Sequence, residues 1–250
     1  MSRPRKVAAG LAVVIALTIA GCGGGESGES TQSLPQGSEA VSLDPSEFTT
    51  TIDNPYWPMT PGSRWRYTET DSEGARQRID VTVTDRTKRV AAGIEARVVH
   101  DLVTDEKGRP VEDTYDWYAQ DADGNVWYLG EDTKEFENGK VVSTAGSWEA
   151  GVDGAQPGIA MPAAPEAGLT YRQEYYAGEA EDNGEIVSVD EQAEVPAGHY
   201  SSVVMTRDTT PVEPKVLEFK FYAKGVGPVL EFTASGGSDR GELVSFEPGS

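Results

Sequence analysis

Over residues 111–134 the chain reads VEDTYDWYAQDADGNVWYLGEDTK, and its apolar positions recur at every second residue. Tyr115, Trp117 and Ala119 alternate with Asp116, Tyr118 and Gln120; Asp121-Ala122-Asp123-Gly124-Asn125 breaks the run, and residues 126–129 resume it. A period of two belongs to a strand, and Gly, Asn and Asp tolerate the positive φ of a tight turn, so the stretch predicts a β-hairpin. Trp65 and Tyr67, then Ile79, Val81 and Val83 carry the same alternation, a turn is predicted at Val90-Ala91-Ala92-Gly93, and residues 96–103 are read as the next strand. No stretch shows the 3.6-residue period of an amphipathic helix. Asp44-Pro45-Ser46-Glu47 predicts one helical turn, with Asp as cap and Pro at the first helical position.

The pattern returns about a hundred residues later. Gly62-x-x-Trp65 matches Gly168-x-x-Tyr171, Val81 matches Ile186, Val90-Ala91-Ala92-Gly93 matches Val195-Pro196-Ala197-Gly198, and Val98-Val99 matches Val203-Val204. The reading is an all-β chain: a single antiparallel meander of ten or eleven strands in two pseudo-repeats, about 58–135 and 161–235, forming a curved half-barrel, an open barrel or a sandwich. Between the repeats, residues 146–168 are rich in Gly, Pro and Ala. A loop that long is expected to serve as a crossing, with room for a few exposed turns of helix.

The first residues are of another kind. Arg3, Arg5 and Lys6 precede an apolar run over residues 7–19 that is short for a membrane span, and Ile19-Ala20-Gly21-Cys22 closes it. This resembles the lipobox of bacterial lipoproteins, which implies a signal peptide over residues 1–21 and lipidation of Cys22. Residues 22–43, rich in Gly, Ser, Glu and Gln, read as a flexible tether, and residues 44–250 as the β domain. Cys22 is the chain's one cysteine, so no internal disulfide is available. The expected location is the extracytoplasmic face of a bacterial cell membrane, with the Cys22 lipid as the anchor.

A formal net charge of −21 makes nucleic acid a poor partner, and its plain reading is solubility at a wet cell surface. Only two histidines are present. His100 matches Met205 of the second repeat and reads as a packed or edge residue; His199 follows a turn and has no nucleophile motif nearby. Neither a Gly-x-Ser-x-Gly elbow nor a His-Glu-x-x-His motif occurs. Glu179, Glu181, Asp182 and Glu185 read as a solvated hairpin tip. Asp121, Asp123, Asn125 and Asp132 have oxygen ligands at calcium-like spacing, but Gly falls fourth rather than sixth and strands flank the loop, so a plain turn is expected. No catalytic residue, metal ligand or cofactor is assigned.

Asn54-Pro55-Tyr56-Trp57-Pro58-Met59, Pro61-Gly62-x-x-Trp65-x-Tyr67, Glu112-Asp113-Thr114-Tyr115-Asp116-Trp117-Tyr118-Ala119, Asp123-Gly124-Asn125-Val126-Trp127-Tyr128 and Tyr222-Ala223-x-Gly225-Val226-Gly227 together resemble a bacterial family of secreted proteins and lipoproteins of unknown function. More remotely, a long meander behind a lipobox is similar to the half-barrel of LolA-type lipoprotein carriers. Those carriers plug their concave face with helices, whereas this chain has no amphipathic stretch to act as a plug.

The five tryptophans divide by position. Trp65, Trp117 and Trp127 match Tyr171, Phe221 and Leu230, trading size while keeping apolarity, and are assigned to the core. Tyr118 and Tyr222 lie on the strand faces held otherwise by Asp116, Gln120 or Lys220, while Trp57 and Trp148 fall in loops. These four form the candidate binding surface. The function expected is a non-enzymatic binding or interaction module for an apolar small molecule, a lipid or an envelope partner. The alternatives are a structural docking protein with a filled core and a glycan-acting hydrolase. A carrier requires an unfilled cavity between the halves, and a hydrolase requires two carboxyls meeting in a cleft.

Overall fold

The computed structural model describes residues 34–71 and 74–250; the expected signal peptide, Cys22 and the first part of the tether lie outside the described residues. Asp44 caps the 3-10 turn Pro45–Glu47, its carboxylate accepting from Ser46 N at 2.9 Å, as the sequence predicts. It leads into β1 (Phe48–Thr49). A first meander follows: β2 (Arg64–Thr70), β3 (Arg76–Arg89), β4 (Glu95–Asp105), β5 (Pro110–Asp121) and β6 (Val126–Glu137). After β7 (Lys140–Ser143), β8 (Trp148–Glu149) and β9 (Gln156–Met161) come β10 (Thr170–Arg172) and β11 (Glu174–Tyr175). The second meander is β12 (Asn183–Val195), β13 (Gly198–Thr209), β14 (Leu217–Ala223) and β15 (Gly227–Ser235), and β16 (Arg240–Glu247) ends the set. Ten of the sixteen described strands run seven residues or more, matching the expected ten or eleven; the other six are too short to alternate visibly.

All pairings in the main sheet are antiparallel, in the order β10-β12-β13-β14-β15-β16-β2-β3-β4-β5-β6-β9-β11. β16 thus joins the two meanders along one edge of each. The opposite edges meet through residues 170–175: β10 pairs with β12, β11 pairs with β9, and Gln173 alone separates the two strands. The result is a nearly closed, barrel-like all-β fold.

Arg172 holds that seam. It is 1% exposed, and its guanidinium donates to Pro157 O at 2.7 Å, Gly37 O at 2.8 Å and Glu39 O at 2.7 Å. Burial pushes its pKa down, and hydrogen bonds to three carbonyls stand in for a carboxylate partner. The seam also holds the chain ahead of Asp44: Arg172 N donates to Pro35 O at 2.7 Å and Gln36 Nε2 to Thr170 O at 2.6 Å.

Residues 146–168 also differ from expectation. They hold the strands β8 and β9, both paired with β6, and no helix. Gly130 admits β8: its φ is +128°, and a Cβ there would run into the carbonyl of Trp148. Trp148, expected in a loop, therefore lies in β8 and is 5% exposed.

Trp65, Trp117 and Trp127 are buried, as assigned. An aromatic side chain buries about 150–250 Å². At about 25 cal/mol per Å², each contributes roughly 4–6 kcal/mol before the entropy of ordering. The Lys88 ammonium sits 3.3 Å above the Trp117 ring and pairs with Glu149 at 2.8 Å, covering that face of β5. Tyr118 and Gln120, on the other face, are buried too. Polar alternation on β5 therefore marks the inside of the barrel rather than solvent.

Candidate functional site

Local chemistry around Asn54 sets the position of Trp57. Asn54 is 2% exposed and its side chain is fully used. Its Oδ1 accepts from Tyr56 N at 2.9 Å and Trp57 N at 3.3 Å, and its Nδ2 donates to Gly124 O at 3.0 Å and Pro162 O at 3.1 Å. This is an Asx turn pinned to the β5–β6 hairpin. It presents the Trp57 ring to Tyr118 at 5.5 Å and to Tyr222 at 5.6 Å, centroid to centroid. Tyr118 stacks on Tyr128 at 4.9 Å, and Tyr128 meets Trp148 edge-on at 5.4 Å.

All four residues chosen from the sequence thus fall in one chain of rings, with Tyr128 as the link. They do not form an exposed patch: Tyr118 is 8%, Tyr222 2% and Trp148 5% exposed, and Trp57 is half-buried. The physical reason is curvature. Register shifts fall beside Tyr118 in β5–β6 and beside Tyr222 in β14–β15, at corresponding places in the two meanders. Such irregularities bend a strand and re-aim its side chains, here toward the barrel interior.

Trp57, Tyr118 and Tyr222 border a cavity of about 250 Å³ between the meanders. Strand polarity gives it two unlike ends. On β2 the inward residues run Trp65, Tyr67, Glu69; on β4, Val99 then Asp101; on β5, read backwards, Tyr118 then Asp116; on β14, also backwards, Tyr222 then Lys220. Because neighbouring strands are antiparallel, these four runs point the same way. Trp57 and Met59 close the apolar end, while Lys220, Glu231, Gly241 and Glu69 lie side by side across β14, β15, β16 and β2 at the other. Glu231 keeps 47% of its side chain exposed, so the charged end is the wet one.

Carboxyls dominate that end. Burial, reinforced by Glu231 and Asp239, pushes Glu69 up to about 7. Burial pushes Asp101 well above the carboxylate range, with Asp116 and Glu112 adding to the effect, and Asp101 Oδ1 has no hydrogen-bond partner. Lys220 is the one basic residue in the lining; against the pull of burial, Glu231 and Asp208 hold its ammonium charged. It approaches Asp208 at 3.2 Å and Glu231 at 4.0 Å.

A second set of acids adjoins the first. Tyr128 Oη lies 2.8 Å from Asp116 Oδ1 and 2.9 Å from Glu131 Oε2. A hydroxyl has one proton to donate, so both contacts are hydrogen bonds only when one carboxyl is itself protonated. Burial first raises Asp116 to about 7 and Glu131 to about 8, the Asp116 charge adding to the latter. Beyond them, Trp148 Nε1 donates to Glu174 Oε2 at 2.6 Å, and burial with the nearby Asp182 and Glu131 pushes Glu174 well up. Asp182, read as part of a solvated tip, is half-buried, and burial raises its pKa as well.

The remaining candidates stay apart from the cavity. His100 Nε2 pairs with Asp113 at 2.8 Å and its ring stacks on Tyr115 at 4.5 Å; His199 pairs with Glu194 at 3.0 Å on the surface. Asp121 uses both carboxylate oxygens within its own hairpin, accepting from Asn125 N, Asn125 Nδ2 and Trp127 Nε1 at 2.7–2.8 Å. Among the described residues no group of three or more His, Cys, Asp or Glu is placed to hold a metal ion. The carboxyls missed from sequence are Glu69, Asp101, Asp116 and Glu231. For Glu69, Asp101 and Asp116 the signal was the strand alternation, since they lie two residues from the inward Tyr67, Val99 and Tyr118.

No family model matches the chain, and no curated protein matches it. Two solved structures are similar to it. One is a Bacteroides fragilis protein described as a "putative exported protein with YmcC-like fold", 13% identical, with 77% of this chain and 99% of that chain covered and a TM-score of 0.43. The other is described as a "putative lipoprotein" from Parabacteroides distasonis, 12% identical, with 77% and 98% covered and a TM-score of 0.42.

Proposed function

We propose that this chain is a lipid-anchored binding protein of the extracytoplasmic face of a bacterial membrane, holding a small ligand with an apolar body inside its barrel without reacting with it. The observation that carries the reading is the cavity of about 250 Å³ between the two meanders, walled at one end by Trp57, Tyr118 and Tyr222. A docking protein would be expected to fill that space with side chains, as ordinary cores do. The anchor rests on Cys22 and its leader alone.

Hydrolysis would draw on Asp116 and Glu131, the carboxyls closest to a catalytic pair. A hydrolase of this kind leaves the glycosidic bond or a water between its two acids. Here the Tyr128 hydroxyl occupies that place, hydrogen-bonded to both, which supports binding over cleavage.

Saturation-transfer NMR with a panel of small aromatic and aliphatic fragments tests the cavity. Fragments that bind the wild type and lose their signal with Tyr222→Ala are expected, and a panel with no cavity-dependent member refutes the reading. Cys22→Ala should release the protein from membranes on fractionation; retention in the membrane pellet refutes the anchor.

A further inference from the structure

The geometry points to an organic ammonium as the ligand: a small cation whose apolar body lies against Trp57, Tyr118 and Tyr222 and whose ammonium lies among Glu69, Asp101 and Asp116. This rests on the binding reading above and names its chemistry.

Three observations carry it. The first is the ordering of the walls, rings at the closed end and carboxyls toward the wet end, repeated on strands from both meanders. A ligand that follows this ordering is apolar at one end and cationic at the other. The second is the charge balance. Four carboxyls (Glu69, Asp101, Asp116 and Glu231) line the space with one lysine, which is engaged by Asp208 and Glu231. Among the described residues, Glu69 and Asp101 have no basic partner within ion-pair distance. The third is Asp101 Oδ1, buried at the cavity wall with no donor to it. Leaving a buried acceptor unpaired is costly, and an ammonium N–H would satisfy it.

Size limits the choice further. At about 30 Å³ per water, 250 Å³ corresponds to roughly eight waters. A ligand of about eight to twelve heavy atoms fits; a diacyl lipid does not. Neutral apolar molecules of that size would leave Asp101 unpaired, and a carboxylate or phosphate would face four acids.

A cation entering this site also displaces protons. The titratable groups facing the ammonium position are Glu69 from β2, Asp101 from β4, Asp116 from β5 with the Tyr128 hydroxyl of β6 behind it, Lys220 from β14 and Glu231 from β15. β3 supplies Ile79, Val81 and Val83 and β16 supplies Gly241, none of which titrates. Glu69 and Asp116 bind protons up to about pH 7 and burial holds the Asp101 proton higher still, so at least one of these carboxyls must ionise to hold the ligand. Affinity therefore rises with pH through neutrality, by about tenfold for each unit below pH 7 if one proton leaves.

The test uses the full chain, expressed in a bacterial envelope and purified in a non-ionic detergent, titrated calorimetrically with 2-phenylethylammonium, 2-phenylethanol and phenylacetate. The ammonium is expected to bind at least about tenfold tighter than the alcohol, with no binding of the acid. Asp101→Asn should remove that preference while leaving the alcohol's affinity in place, and a melting temperature no lower than the wild type's would show that the fold is kept. Equal affinity for ammonium and alcohol overturns the inference and leaves cavity binding standing. Binding of none of the three overturns the inference as well, and the fragment panel then decides the broader reading on its own.

Discussion

Asp116→Asn removes a carboxylate that the fold holds at a cost, and the effect has a definite pH signature. Asp116 keeps its proton in the folded protein up to about pH 7, against an ordinary value of 3.8. The folded state thus binds more protons than the unfolded state between those values, and stability drains as pH rises from about 4 to about 7. At about 1.4 kcal/mol per pH unit the gap corresponds to roughly 4 kcal/mol as a ceiling. Asp116 is half-buried at a cavity wall, so water shares its field and about 1–2 kcal/mol is the reasonable expectation. Asparagine retains an acceptor for the Tyr128 hydroxyl and carries no charge. The variant should therefore come close to the wild type at pH 4, where ionisation of the unfolded chain has only begun to cost the wild type, and exceed it at pH 8.5. For a chain of this size each kcal/mol moves the melting temperature by about 2–4 °C, giving a gain of roughly 2–8 °C. Thermal melts followed by circular dichroism at the two pH values measure it. An equal change at both pH values, or a loss at pH 8.5, would refute the electrostatic account of the cavity.

Three further outcomes follow from the packing. Arg172→Ala leaves the carbonyls of Pro157, Gly37 and Glu39 without their donor and should cost about 3–5 kcal/mol, with hydrogen exchange of residues 34–43 rising first if the seam is held as described. Gly130→Ala places a Cβ against the Trp148 carbonyl at a φ of +128° and should lower the melting temperature by at least about 5 °C; a neutral outcome would mean that β8 does not lie on β6 as described. Trp57→Ala should cost only about 1–3 kcal/mol, since the ring is half-buried, yet abolish cavity-dependent ligand signals in NMR.

Period-two alternation was enough to read the long strands, because a strand repeats its side-chain direction whatever it packs against. It could not say which face becomes the inside. Trp117 and Tyr118 are both buried, one under Lys88 and Glu149 and the other inside the barrel, so the polar face of β5 was read as solvent-facing. Closure depends on residues 170–175 bonding to strands distant in sequence on either side, and no local pattern encodes that. The short strands β8 and β9 likewise owe their pairing to β6 rather than to their own composition. Trp57, Tyr118, Trp148 and Tyr222 were identifiable because they break the apolar alternation or lie outside it; their convergence through Tyr128 required the fold. Acidity read in bulk as solubility is in part a property of the interior, where Glu69, Asp101, Asp116 and Glu231 face one another.

The central claim, that the barrel holds a ligand between its meanders, is tested most directly by native mass spectrometry of the protein made in a bacterial envelope. A reproducible small adduct on the wild type, lost on organic extraction and absent from Trp57→Ala, is the predicted result. A clean apo mass for the wild type, or an adduct that Trp57→Ala retains unchanged, would contradict it.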